Sequence, residues 1–174
     1  MLANPVQPHS EGEIVLESAD PAAAPAIRMN YYGDPHDMRV MLAVLRKVLD
    51  VMAHWPAHRR IGPPMVPPFL AEKHGHREGE TLSDALLEDL ALHFSLTVYH
   101  LTCTCRIGSV VDARLRVMGV GKLRVADASV MPNVVSGNTN AASIMIGEKA
   151  AEMIAADHGV PLVEFVGERN AALV

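Results

Sequence analysis

Aromatic residues are scarce: Phe, Trp and Tyr make up 4% of the 174 residues, with a single Trp. A core built from this chain therefore relies on aliphatic side chains and on ten methionines, which fill irregular gaps. Cysteine is nearly absent. Its two copies, Cys103 and Cys105, stand one residue apart, and a bridge across that gap would be strained, so both read as reduced thiols of a cytosolic protein. No basic run occurs and the net charge is −5, which argues against a nucleic-acid surface. No apolar stretch approaches the ~18 residues that span a bilayer, and Met1 to Pro5 has neither half of a secretory signal. A G-x-G-x-x-G turn is missing throughout, so the chain carries no glycine cradle for a dinucleotide pyrophosphate.

Hydrophobic residues make up 49% of the chain, ample for a packed core. After an irregular lead-in over residues 1–10, Glu13 to Glu17 alternates, with Ile14 and Leu16 on one half-buried face of a strand. Ile27, Met29 and Tyr31 alternate again, giving a second strand and a meander pair. Asp37 is expected to cap a helix running to about His54, with Met38, Met41, Leu42, Leu45, Val48, Leu49 and Met52 on its core face. Trp55 to Gly79, rich in Pro, Gly and His, reads as a long loop, with His74 and His76 solvated rather than metal-bound. Ser83 is an N-cap, and its short helix leads into a strand from Leu96 to Tyr99.

The stretch from Val98 to Asn140 concentrates the chemistry. His100 follows an apolar run, and Val110 to Val117 reads as short strands or a hairpin. Leu123 to Ala126 reads as a strand of a covered sheet, closed by Asp127. Asn138-Thr139-Asn140 opens a helix to about Ala156 that buries Ile146, Ala150, Met153 and Ile154. From Gly159 the tail reads as extended. Polar groups at strand ends and helix starts are where α/β folds place their chemistry.

These residues form three spaced blocks. They are Y-H-x-x-x-T-C-R-x-G from Tyr99, D-x-x-L-R-V-x-G-V-x-x-L-R-V-x-D-A-S-V-M-P from Asp112, and G-N-T-N-A-x-x-x-M-I-x-E-K-A-A from Gly137. With S-x-G-x-I-x-L-x-S-A-D-P at Ser10 to Pro21, the chain closely resembles the C-terminal region of the glucose–methanol–choline (GMC) flavoprotein oxidoreductases over residues 8–156. The Cys-Thr-Cys form at Cys103 to Cys105, where most members have glycine at the first position, points to the choline-dehydrogenase-like branch.

The resemblance implies an α+β fold. A mixed or antiparallel sheet forms a substrate-binding domain with helices on one face (residues 1–110). Residues 111–158 then return to complete the sheet and add the last strand and helix of an FAD domain, before a tail over 159–174. It implies FAD-dependent oxidation of a small-molecule alcohol, with a hydride passing to flavin N5. His100 takes the hydroxyl proton, as suits a group titrating near neutrality, and Asn140 donates to the substrate oxygen. Asp127, Ala128, Asn138, Asn140, Ala141 and Ala142 line the cofactor, the helix start stabilising negative charge on the flavin's N1–O2 edge.

No metal is implied. Because the dinucleotide fingerprint belongs to an N-terminal region not seen here, the chain is expected to be a fragment, a split gene product or a truncated reading frame, pairing with an FAD domain on another chain. Two other readings stand beside this one. The first is a non-catalytic remnant or binding module, and the second a small metal-binding protein using Cys103, Cys105 and His100 or His93. At Asp127 and Asn140 simple turn and helix capping compete with cofactor contact, and at His100 a structural hydrogen bond competes with catalysis.

Overall fold

The computed structural model describes residues 3–54, 56 and 62–161. The reading of Trp55 and the tail beyond Pro161 lies outside the described residues. The elements are β1 (Glu13–Val15), β2 (Ala26–Arg28), α1 (Pro35–His54), α2 (Pro68–His74), α3 (Asp84–Phe94), a 3-10 turn (Ala128–Val130) and α4 (Asn140–His158). The class is α+β, as the resemblance implied. The chain divides into two compact units: residues 1–100 with 134–137, and residues 101–133 with 138–174.

In the first unit β1 and β2 pair antiparallel, Ile14 opposite Ile27, which is the expected meander. The pair is shorter than its alternation suggested, and its apolar face is open: Ile14, Leu16 and Ile27 are all exposed. Gly12 has a steric reason. A Cβ there would stand 2.4 Å from the Arg28 carbonyl oxygen, closer than real contacts allow, so only glycine lets the backbones meet.

Asp37 does not cap α1. The helix starts earlier, at Pro35, where proline's missing N–H costs nothing, and Asp34 accepts from the N–H of His36 at 2.8 Å. Asp37, buried in the first turn, instead pins the lead-in. It accepts from the backbone N–H groups of His9 and Ser10, each at 2.8 Å, and from the Ser10 hydroxyl. Burial alone would raise its pKa, but these hydrogen bonds outweigh it and hold the carboxyl below its usual value. Ser10 Oγ also accepts from Asp34 N at 3.0 Å, so the S-x-G block joins the lead-in to both α1 and the sheet.

The core of this unit is aliphatic. Leu70, Leu82, Leu86 and Leu87 form its centre, with Leu42, Leu45 and Leu49 of α1 packed against them. The expected long loop thus contains a helix, α2, that supplies the central Leu70. Proline at the helix start permits it and Gly75, at φ 62°, ends it. His74 is not solvated either: its Nε2 lies 2.7 Å from Asp89 Oδ2, joining α2 to α3 beside the Lys73 ammonium. Ser83 caps α3 as expected, accepting from Leu86 N at 3.2 Å.

The second unit closes around Val111, Leu115, Val130, Met131, Ile146 and Ala150. Leu123 to Ala126 forms no strand. Among the described residues this unit has only isolated bridges, Ile107 with Val111 in parallel and Val111 with Val117 and Arg116 with Arg124 antiparallel, and Leu123 is exposed. Left-handed φ values at Leu115 and Lys122 and turns through Gly119 break the extension. Helix α4 buries Ile146 and Ala150 with Met153 against the core, as expected, whereas Ile154 faces outward.

Candidate active site

His100 ends the first unit. The expected strand before it is absent: Val98 and Tyr99 take φ values of 50° and 64°, which no strand accommodates. The His100 N–H donates to the Thr97 carbonyl at 3.1 Å, closing a four-residue turn with both central residues left-handed. Such turns normally carry Asn-Gly, and each bulky residue held there costs on the order of 1–3 kcal/mol. Thr97 Oγ1 accepts from Tyr99 N at 3.3 Å, a partial compensation. His100 is half-buried, while the Tyr99 ring is 94% exposed. Backbone strain of this size next to an ionisable ring is a feature of functional turns more than of packing turns.

Within the second unit the T-C-R-x-G and D-A-S-V-M-P blocks are held side by side. Backbone N–H groups of Cys103, Cys105 and Ile107 donate to the carbonyls of Ala128, Ser129 and Val130 at 3.4, 2.8 and 3.0 Å. Alternate N–H groups of residues 103–107 thus meet successive carbonyls of the 3-10 turn, which explains the spacing of both blocks. Neither cysteine is in a disulfide. Cys103 packs against the core and has φ 75°, so the position where relatives of the motif prefer glycine is one where glycine is easiest. A side chain there costs about 1–2 kcal/mol.

Asp127 caps the 3-10 turn. Its Oδ1 accepts from Ser129 N at 2.8 Å and from Ser129 Oγ at 2.5 Å. The capping alternative is thus what the structure displays for this oxygen, and Ser129 is a partner that sequence reasoning passed over although the Asp-x-Ser spacing is a turn signal. Ala128, half-buried, packs on the core.

Asn138, Asn140, Ala141 and Ala142 come together at the start of α4. Asn138 Oδ1 accepts from Asn140 N at 2.9 Å. Thr139 is the N-cap residue but makes no side-chain cap bond. Its buried carbonyl accepts from both N and Oγ of Ser143. Asn140 and Ala141 are exposed and the first turn carries no acidic residue, so no first-turn carboxylate offsets the helix's positive end. A helix start with small side chains and no acid favours negative charge beside it. Among the described residues no group of three or more His, Cys, Asp or Glu is placed to hold a metal ion, and no helix is long and apolar enough to cross a membrane.

Known proteins resemble this chain in sequence and fold. Residues 8–147 match the family model described as GMC oxidoreductase. An uncharacterized GMC-type oxidoreductase of Mycobacterium bovis is 43% identical over 155 residues, covering 86% of this chain and 28% of its own. An alcohol dehydrogenase [acceptor] of Pseudomonas putida is 40% identical, with 84% of this chain and 26% of its own covered. An oxygen-dependent choline dehydrogenase of Acinetobacter baumannii is 37% identical, at 87% and 26%. Among solved structures, a formate oxidase of Aspergillus oryzae studied for FAD modification superposes with a TM-score of 0.70 at 31% identity, covering 87% of this chain and 26% of that one. The chain therefore spans about a quarter of the length of these proteins, and over that quarter its motifs, its fold and the match across residues 8–147 agree: it belongs to the GMC oxidoreductase family.

Proposed function

We propose that this chain supplies the substrate-facing part of an FAD-dependent oxidoreductase that oxidises an alcohol, choline-like by its Cys-Thr-Cys variant. Residues 1–110 serve substrate binding and 111–158 return toward the cofactor. The observation that carries the reading is the coincidence of motif and geometry. The family's histidine stands on a strained turn, and its Asn-Thr-Asn block opens a helix of 19 residues whose first turn has no acid. Similarity to an alcohol dehydrogenase [acceptor] and to a choline dehydrogenase supports the substrate class.

Bound FAD would supply the hydride acceptor. The chain's own residues do the rest. His100, as base, takes the substrate hydroxyl proton as the C–H bond breaks, and Asn140 donates its amide to the substrate oxygen to orient it. With FAD bound, the start of the helix at Ala141 and Ala142 would offer its N–H groups to the ring edge, while Asn138, which holds the Asn140 N–H, Asp127 and Ala128 would shape the adjoining backbone.

The pyrophosphate contacts lie with a glycine turn that this sequence does not contain. The chain purified alone is therefore expected to hold no stoichiometric FAD, and co-expression with a family FAD-binding region is expected to give a complex that retains it. Flavin absorbance per polypeptide after gel filtration measures both. FAD at one per chain without a partner, or none with it, contradicts the proposal.

A further inference from the structure

Near its C-terminal end α4 carries one carboxylate that three guanidinium groups share. Arg114 Nη2 donates to Asp157 Oδ1 at 2.6 Å, Arg116 Nη2 to Oδ2 at 2.6 Å, and Arg124 Nη2 to the same Oδ2. Arg114 Nη2 also reaches the Met153 carbonyl at 3.1 Å, and Arg124 Nη1 the Arg114 carbonyl. From the other side Asp112 Oδ1 accepts from the N–H groups of Arg114 and Arg116, at 2.8 and 2.9 Å. The arginine-bearing run is thus fixed to itself and to the helix, and the Asp157 side chain is only 22% exposed.

Two features say that this cluster does more than add an ion pair. An acidic residue in the last turn is opposed by the helix dipole, so Asp157 weakens α4 as a helix and is useful only through its partners. Further, apart from Ile146 the apolar contacts of α4 are small or flexible: Ala142, Ala150 and Met153. Such burial is non-directional and tolerates sliding and rotation. Charge-assisted bonds to guanidinium planes are directional and do not.

We propose that the clamp of Asp157 with Arg114, Arg116 and Arg124 is the positioning device of α4, setting its axial and rotational place and, through the rigid helix, the place of Asn140. Asp157 lies 17 residues along, about 25 Å at 1.5 Å per residue. Asp157 is a positioning residue and touches no substrate. Its importance for catalysis rests on the reading of Asn140 above, but its test does not.

The test is site-resolved amide hydrogen exchange in the full chain, with no flavin or alcohol present, so that its outcome is independent of the proposed activity. Asp157→Asn should raise exchange about tenfold or more in the last turn and equally in the first hydrogen-bonded amides, Ser143 to Met145, while Val130 in the core stays at its original rate. Asp157→Glu should restore part of the protection. Glu152→Gln, which removes an exposed pair with Lys149 on the same helix, should change neither end. A rise confined to the last turn and the arginine run overturns the proposal, as does a uniform rise that includes Val130, which marks plain destabilisation. Should Asp157→Asn fail to fold, Arg116→Gln, which removes the most exposed of the three arms, takes its place. Joint loosening of both helix ends then supports the clamp, and loosening of the last turn alone refutes it.

Discussion

Replacing His100 with alanine in a flavin-loaded assembly is expected to slow flavin reduction by about 10²–10⁴-fold, the usual contribution of a positioned general base. The alcohol proton has to leave as the hydride does, and an imidazole nitrogen is suited to take it. The variant should also lose the base's ionisation from the pH profile of the reduction rate. Asn140→Ala should cost less, since one hydrogen bond to the substrate oxygen is worth about 1–3 kcal/mol, and should leave that ionisation in place. Asn140→His should keep substantial activity, because His or Asn occupies this position in members that the motif resembles. Stopped-flow reduction across pH separates the three. A His100→Ala enzyme that reduces at the original rate would leave the histidine as a turn residue and nothing more.

The second large effect concerns the first unit. Leu70→Ala is expected to destabilise it by about 2–5 kcal/mol, because a fully buried leucine leaves a cavity that three helices cannot all close. Its neighbour Phe69 is half exposed, tilted against the His93 ring at 5.3 Å, and Phe69→Ala should cost only about 1 kcal/mol. Urea unfolding followed by circular dichroism gives both values. Equal losses would mean that α2 does not sit as described.

The contrast between these neighbours shows what the sequence could reveal. Helices α1, α3 and α4 were legible because their apolar residues recur at helical spacing over long runs, with Ser83 as a visible cap. Helix α2 was hidden by its own start signal: Pro67-Pro68 reads as loop, although proline is well placed at the first helical position. The strand expected from Leu96 to Tyr99 failed for a different reason. Val98 and Tyr99 have strong strand preference, yet the turn before His100 holds both left-handed, a tertiary demand that local propensity does not encode.

The candidate site was legible by motif and less so by chemistry. Asp127 looked like a cofactor ligand, and the residue two positions on, Ser129, takes one of its oxygens. Asn138 and Asn140 were correctly placed at a helix start, since Asx side chains compete for free N–H groups there. The arginine clamp was not foreseen, because its partners lie 33 to 43 residues apart and no periodicity links them.

The central claim is that this chain completes an alcohol-oxidising flavin site. Anaerobic bleaching of the flavin in a co-expressed assembly, with a quaternary-ammonium alcohol and simple primary alcohols offered in turn, tests it most directly. The account predicts rapid, alcohol-dependent bleaching with this chain present and none when the FAD-binding partner is taken alone. Bleaching that proceeds equally without the chain, or flavin that stays oxidised with every alcohol while bound in the assembly, would contradict it.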